Sequence, residues 1–197
     1  MHVSTGALPR LVAACLVAVA LGACQRTLPL NYFQSTPADS FSAAGKAFTL
    51  EVIDRLGVFR GYISVFPVYS AGSLSVRPEV PVQKVVRDAL AEELAARGIV
   101  LAEGQSRTIE IQVTAMHTNV IPGLFSPWHR SIAAFTAKVT GTDGSVHLHE
   151  AFTAMHEDPG SFFSKNPTEA QTLEVALARA LKVLLEDPAF ALALSKA

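Results

Sequence analysis

The stretch that decides the fold is SIAAFTAKVTGTDGSVHLHEAFTAM, residues 131–155. Apolar and polar side chains alternate on both sides of Asp143-Gly144, a dipeptide that tolerates the positive φ of a type I′ hairpin turn. We therefore predict two antiparallel strands, 131–141 and 145–155, with Thr142 opposite Ser145. This register puts four apolar side chains on the core face of the sheet: Phe135, Val139, Leu148 and Phe152.

Shorter elements precede this hairpin. Alternating apolar residues predict a strand at 48–54 and another at 108–116, with a short strand at 99–102 between them. The stretch 55–78 contains four aromatic residues and has no single period. A short hairpin around 62–68 is one interpretation of it.

Helices complete the pattern. Apolar residues recur every three or four positions across 81–97, with Pro81 suited to the first turn and Gly98 to the position after the last. The sequence NPTE at 166–169 offers an N-cap, a proline and a glutamate that introduce a second long helix, and a last short helix covers 188–194. Strands and helices are segregated along the chain. The predicted fold class is therefore α+β, a two-layer, mostly antiparallel sheet with two helices packed on one face.

Residues 1–23 have the pattern of a secretory signal peptide. The apolar segment from Leu11 to Ala23 has thirteen residues, which is too short for a membrane-spanning helix of about 20 residues. The sequence LGAC at 21–24 resembles the bacterial lipobox, in which the cysteine sulfur receives a diacylglycerol and the amino group a further acyl chain. We predict lipidation at Cys24 and permanent anchoring to a membrane. A free thiol is the alternative, and it is disfavoured because the only other cysteine, Cys15, lies in the cleaved segment.

The residue after the cysteine carries the sorting information. Gln25 stands where enteric inner-membrane lipoproteins carry Asp, and this resembles the pattern for release to the outer membrane. Residues 24–46 form the predicted lipidated N-terminus and tether, because proline, serine, threonine and alanine follow one another without a period. Alternatively, the aromatic residues of this segment, Phe41 among them, pack against the domain, and part of the tether is then ordered. Residues 47–197 are predicted to form a single α+β domain.

The segment 117–129 is predicted to be a connection between two strands, and it is unusually apolar. Its two prolines break both helical and strand periods. We predict that Leu124, Phe125 and Trp128 form a contact surface for a protein partner or a membrane, with packing onto the core as the alternative.

No feature of the sequence predicts an enzyme, a metal site or nucleic-acid binding. Gly-x-Ser-x-Gly, zinc-protease and phosphate-loop motifs are absent from the sequence. His147 and His149 are the best metal candidates, but they lack a third ligand and the register puts Lys138 opposite His149. Sixteen Lys and Arg stand against seventeen Asp and Glu without a basic run, which disfavours nucleic acid as a partner. We expect no cofactor, with a metal protein or enzyme as the least favoured alternative.

The sequence resembles the YajG-like bacterial lipoproteins. The shared features are the lipobox, a first strand ending in VIDR at 52–55, a helix that runs into a glycine-led strand at 90–99, and a terminal helix ending in VLLED at 183–187. The resemblance implies an outer-membrane lipoprotein, and similar small lipoproteins serve as accessory subunits of envelope machines. We therefore expect an outer-membrane-anchored, periplasm-facing, non-catalytic accessory or adaptor subunit. The alternative is a carrier that holds a lipid or another apolar ligand between sheet and helices.

Overall fold

The computed structural model describes residues 27–28, 41–56, 63–67, 74–78, 80–121, 128–158 and 169–197. These residues form one sheet and three helices. The strands are β1 (Thr27–Leu28), β2 (Ala47–Asp54), β3 (Ile63–Pro67), β4 (Leu74–Pro78), β5 (Val100–Leu101), β6 (Thr108–Ile121), β7 (Trp128–Thr140) and β8 (Val146–Asp158). The helices are α1 (Val82–Ala96), α2 (Glu169–Glu186) and α3 (Pro188–Lys196).

The β7–β8 hairpin has the predicted register from Val139 and Leu148 to the far end of the strands, but the predicted pair of Thr142 with Ser145 is wrong, because a register shift next to the turn pairs Thr140 with Val146. Phe135 lies opposite Phe152 and Val139 lies opposite Leu148. All four side chains are buried on the face that the helices cover. Alternation of apolar residues therefore determined both the pairing and the buried face, because a slip of one residue would have exposed all four.

The hairpin turn differs from the predicted type I′ turn. A type I′ turn requires positive φ at both central residues, whereas Gly144 has φ +79° and no residue other than glycine has positive φ in the described part of the chain. The Gly141 N–H donates to the carbonyl of Ser145, which closes a three-residue loop at 142–144, and within this loop the Gly144 N–H donates to the carbonyl of Gly141. Asp143 accepts hydrogen bonds from the hydroxyl and the N–H of Ser145, and these bonds lower the pKa of Asp143.

β6 is the central strand of the sheet. The first part of β6 pairs in parallel with β2 and the second part with β3, while β7 pairs antiparallel along its other side. The two longest ladders, β6–β7 and β7–β8, are antiparallel, as the predicted fold class requires. The predicted connection 117–129 is wrong at both ends, because β6 continues to Ile121 and β7 begins at Trp128. Pairing with β3 at 117–120, a long-range contact, extends the strand beyond its local signal.

The three helices pack on one face of the sheet and share one buried cluster with it. α1 begins and ends within one residue of the predicted bounds, 81 and 97, and Gly98 after it has φ +84°. The large side chains with no accessible surface include Phe48, Leu90, Phe135 and Leu177. Burial of each such side chain contributes about 1.5–3 kcal/mol to folding. The short α3 joins this layer through Phe190, so that three helices cover the sheet rather than the two predicted.

Parts of the predicted tether contact the domain. The N–H of Phe41 donates to the carbonyl of Arg97, and the N–H of Gly45 donates to the carbonyl of Gly98. The Phe41 ring lies edge-on against Phe190, with 6.2 Å between centroids. Near the other end of the segment, β1 pairs in parallel with β4. The remainder of the segment lies outside the described residues.

Candidate functional site

Trp128 lies on the face of the sheet opposite the helices. It is the first residue of β7 and pairs with Ile121, the last residue of β6. Its side chain is 47% exposed, whereas the next residue, His129, is buried against the helix layer. Because side chains alternate between the faces of a strand, this difference places the indole on the open face.

The register surrounds Trp128 with further apolar side chains. On the same face, Ile132 of β7 lies opposite Met155 of β8. Between these apolar positions, Arg130 donates to a carboxylate oxygen of Glu157 at 2.5 Å, with both side chains partly exposed. We call the group the Trp128 surface: Ile121, Trp128, Arg130, Ile132, Met155 and Glu157. An exposed aromatic beside apolar residues and a charged pair has the composition of a protein contact site.

The structure separates the residues predicted to form the contact surface. Trp128 is described and exposed, although it stands on a strand rather than on the predicted connection. Leu124 and Phe125 lie outside the described residues, as do Cys24 and Gln25. The contact, lipidation and sorting roles of these residues remain predictions.

A buried polar cluster lies behind the Trp128 surface, on the helix face of the sheet. The hydroxyl groups of Thr118 and Ser131 are 2.8 Å apart, and the Ser131 hydroxyl donates to the Thr172 hydroxyl at 2.9 Å. His129 is also buried there, and its Nδ1 has no hydrogen-bond partner among the described residues. Sequence reasoning missed this cluster because its members are polar. The two-residue period of β7 could have revealed it, because continuing that period from Phe135 through Ser131 to His129 places these residues on the buried face of the strand.

Two further histidines lie close to this end of the sheet. Burial lowers the pKa of His117 on β6. Burial, followed by the positive charge of Arg179, lowers the pKa of His156 on β8, and Asp158 opposes that shift. Both imidazoles are therefore biased toward the neutral form in the folded protein.

His147 and His149 do not form a matched pair on one regular strand. Val139 pairs with Leu148 and Thr140 pairs with Val146, so that His147 is the extra residue of a bulge. The His147 ring bends back to the turn, with Nε2 at 3.0 Å from the Ser145 hydroxyl. His149 lies opposite Lys138, as predicted. Within the described ranges, no group of three or more His, Cys, Asp or Glu residues is arranged to hold a metal ion.

A groove of about 350 Å³ runs between the start of β8 and α3. Apolar Val146 and Leu192 line it together with charged or polar His147, Glu150 and Lys196. The space between sheet and helices, where the carrier hypothesis placed its ligand, is filled by the buried cluster. In the described part of the chain, this open groove offers an apolar ligand a site outside the buried cluster.

None of the helices in the described ranges is both long and apolar enough to cross a membrane.

Comparison with known families decides the classification. A family model for uncharacterized lipoproteins matches residues 60–195, which is most of the chain. The chain belongs to this lipoprotein family. The resemblance to YajG-like proteins is thereby confirmed, and the lipoprotein is an envelope-associated protein. None of the curated proteins matches the lipoprotein.

Solved structures resemble the lipoprotein in fold. Protein XCC0632 from Xanthomonas campestris has 13% sequence identity and a TM-score of 0.62, covering 84% of this chain and 95% of its own. A minor lipoprotein from Acinetobacter baumannii has 12% identity and a TM-score of 0.41, covering 69% of this chain and 86% of its own. At these identities, the likeness to the Xanthomonas protein shows the fold alone.

Proposed function

We propose that the lipoprotein is a non-catalytic accessory or adaptor subunit that is anchored in the outer membrane through lipid on Cys24 and faces the periplasm. The observation that carries the adaptor role is the exposure of Trp128 on a sheet face that the described helices leave open. The lipobox and Gln25 support the anchor and its location.

The energetics of the Trp128 surface favour a partner. An indole that is half exposed leaves apolar area in water, and each Å² removed by a partner contributes about 25 cal/mol. Aromatic residues and arginine are enriched among the side chains that dominate binding, and the Trp128 surface contains one of each. Arg130 already has a carboxylate partner in Glu157, so a bound partner would not bury an unpaired charge.

The proposed anchor also fits the described part of the N-terminal segment. Cys24 precedes β1 by three residues, and three extended residues span about 10 Å. The lipid would therefore attach close to the β4 edge of the sheet, with which β1 pairs. The Trp128 surface lies on strands farther along the sheet and stays available to a partner in the periplasm.

The test compares Trp128→Ala with Val100→Ala in the full-length lipoprotein. Val100 is a matched control because it is 48% exposed and lies on β5, away from the Trp128 surface. We expect Trp128→Ala to change the free energy of unfolding by only about 0.5 kcal/mol but to weaken partner binding by about 2 kcal/mol or more, measured as crosslinking yield in the envelope. A loss of several kcal/mol in stability, or equal crosslinking by the two variants, would contradict the proposal.

The groove beside α3 supports a second candidate function, that of a carrier of a lipid or another apolar ligand. It differs from the usual apolar ligand pocket, because charged residues line it and it opens to solvent. Extraction of the purified lipoprotein followed by mass spectrometry distinguishes the two functions. The adaptor proposal expects no stoichiometric apolar molecule beyond the covalent lipid, whereas a bound lipid that Leu192→Glu displaces would favour the carrier.

A further inference from the structure

His117 lies on the open face of the sheet and borders the Trp128 surface. It stands on β6 opposite Ile132 of β7, and Ile132 in turn lies opposite Met155 of β8. The next residue along β6, Thr118, is fully buried on the helix face. Because side chains alternate between the two faces of a strand, the imidazole lies in one row with the two apolar side chains opposite it. A partner that covers this row also covers His117.

The surface beside this imidazole is close to neutral. On one side, β3 places Ser64 opposite His117, and the described residues of β3 include no titratable type. On the other side, Arg130 is the diagonal neighbour on β7, and such neighbours are about 7–8 Å apart. Glu157 of β8 already pairs with Arg130, so these two charges offset each other. Protonation of His117 would therefore add an uncompensated positive charge to the surface.

The imidazole is neutral at pH 7. It is partly buried, and burial lowers the pKa of His117 from its ordinary value of 6.5. A partner seated over the row would remove more of the water around the ring, and loss of water disfavours the charged form. The bound state would therefore hold a proton at His117 less readily than the free state does. By linkage, a partner that prefers the neutral ring loses affinity when the ring takes up a proton.

We propose that His117 makes partner binding at the Trp128 surface sensitive to pH, so that the partner binds while the imidazole is neutral and is released when it is protonated. The inference rests on the proposed adaptor function and names a regulation of the same site. Affinity should be highest at neutral pH and should fall as the pH drops below the lowered pKa of the free protein. Because one proton is exchanged at this ring, His117 can weaken binding by at most about tenfold per pH unit.

The test uses a photo-crosslinking residue at position 119 of the full-length lipoprotein, which lies opposite Arg130 on the open face. Envelopes are equilibrated at steps from about pH 7.5 to about pH 4.5 and then irradiated. We expect an adduct at the neutral end that falls several-fold toward the acid end. His117→Gln stays uncharged and should retain the adduct at acid pH. His117→Lys is charged throughout and should give little adduct even at neutral pH.

His149→Gln is the matched control. His149 is the same residue type on the same face of the sheet, but it lies opposite Lys138 at the far end of β8. We expect His149→Gln to leave the acid-induced loss of the adduct unchanged. This control removes one histidine from the open face without altering the row that contains His117.

His156→Gln separates regulation from acid destabilisation. Burial also lowers the pKa of His156, which lies opposite Ser131 on the helix face of the sheet. If acid removed the adduct only by unfolding the chain, His156→Gln should protect the adduct as His117→Gln does. We expect His117→Gln alone to protect it, because His156 does not face the partner.

The outcomes distinguish this inference from the adaptor function. An adduct that requires Trp128 but has the same yield at both ends of the pH series would overturn the inference and leave the adaptor function standing. An acid-induced loss that is equal in the unmodified chain and in His117→Gln would do the same. No adduct at any pH would contradict the adaptor function, and with it the regulation that rests on it.

Discussion

Glu93 and Arg97 form a buried ion pair near the end of α1, and breaking it should be unusually costly. Nη1 of Arg97 donates to a carboxylate oxygen of Glu93 at 2.5 Å, and the side chains are only 3% and 1% exposed. Arg97 also lies over the Phe41 ring at 5.9 Å and so connects α1 to the N-terminal segment. Removing one member of a buried pair leaves an uncompensated charge and costs about 3–5 kcal/mol.

The test is a double-mutant cycle of Glu93→Leu and Arg97→Met, in a chain of residues 25–197 unfolded by urea. Arg97→Met should destabilise the fold by about 4 kcal/mol, which at a slope of about 2 kcal/mol/M moves the midpoint down by about 2 M. Adding Glu93→Leu should recover most of the loss, because no buried charge remains. The residual cost, about 0.5–2 kcal/mol, is the lost cation–π contact with Phe41.

Lys84 and Asp88 are the matched control on the same helix. Their charged atoms are also 2.5 Å apart at the same i, i+4 spacing, but the side chains are 61% and 60% exposed. Water and salt screen this pair, so its coupling energy should be about 0.3–0.5 kcal/mol. If the coupling between Glu93 and Arg97 is no larger than that between Lys84 and Asp88, burial does not govern the strength of these pairs and the reasoning is refuted.

Three further predictions follow from the sequence and the structure. Cys24→Ser should abolish lipidation and release the chain from the membrane fraction, and a variant that stays membrane-bound and correctly processed would contradict the anchor. Elemental analysis of protein never exposed to a metal-affinity column should find no stoichiometric metal, whereas near-unity zinc or copper that His147→Ala removes would contradict this. The lowered pKa values of His117 and His156 mean that the unfolded chain binds more protons below about pH 6.5, so stability should fall as the pH drops from 6.5 through the lowered values. A His117→Gln, His156→Gln variant should lose less thermal stability over that interval, and an equal loss would show that other groups dominate.

Local patterns predicted the parts of the fold that local interactions determine. The alternation of β7 and β8 gave their register, and the period of α1 with its flanking Pro81 and Gly98 gave its ends. The extension of β6 to Ile121 depends on β3, and the docking of Phe41 depends on Arg97 and Phe190. These contacts join residues far apart in the sequence, so the spacing of apolar residues within a short segment does not predict them.

The candidate site was predictable only in its central residue. Trp128 was recognisable as a large aromatic in an apolar, proline-containing segment. Its neighbours Ile132 and Met155 come from the cross-strand register, and the buried hydroxyl pair of Thr118 and Ser131 resembles loop composition in the sequence. Polar residues can occupy a core when they satisfy one another, and a hydropathy pattern does not show that they will.

The adaptor role is tested most directly by a photo-crosslinking residue at position 119 in the full-length lipoprotein, irradiated in intact cells. Asn119 lies opposite Arg130 on the same face of the sheet and is not itself part of the Trp128 surface, so a partner seated on that surface lies within reach of this position. The account predicts a specific adduct with another envelope protein that persists in Val100→Ala and is lost in Trp128→Ala. No adduct at position 119, or an adduct that survives Trp128→Ala unchanged, would contradict it.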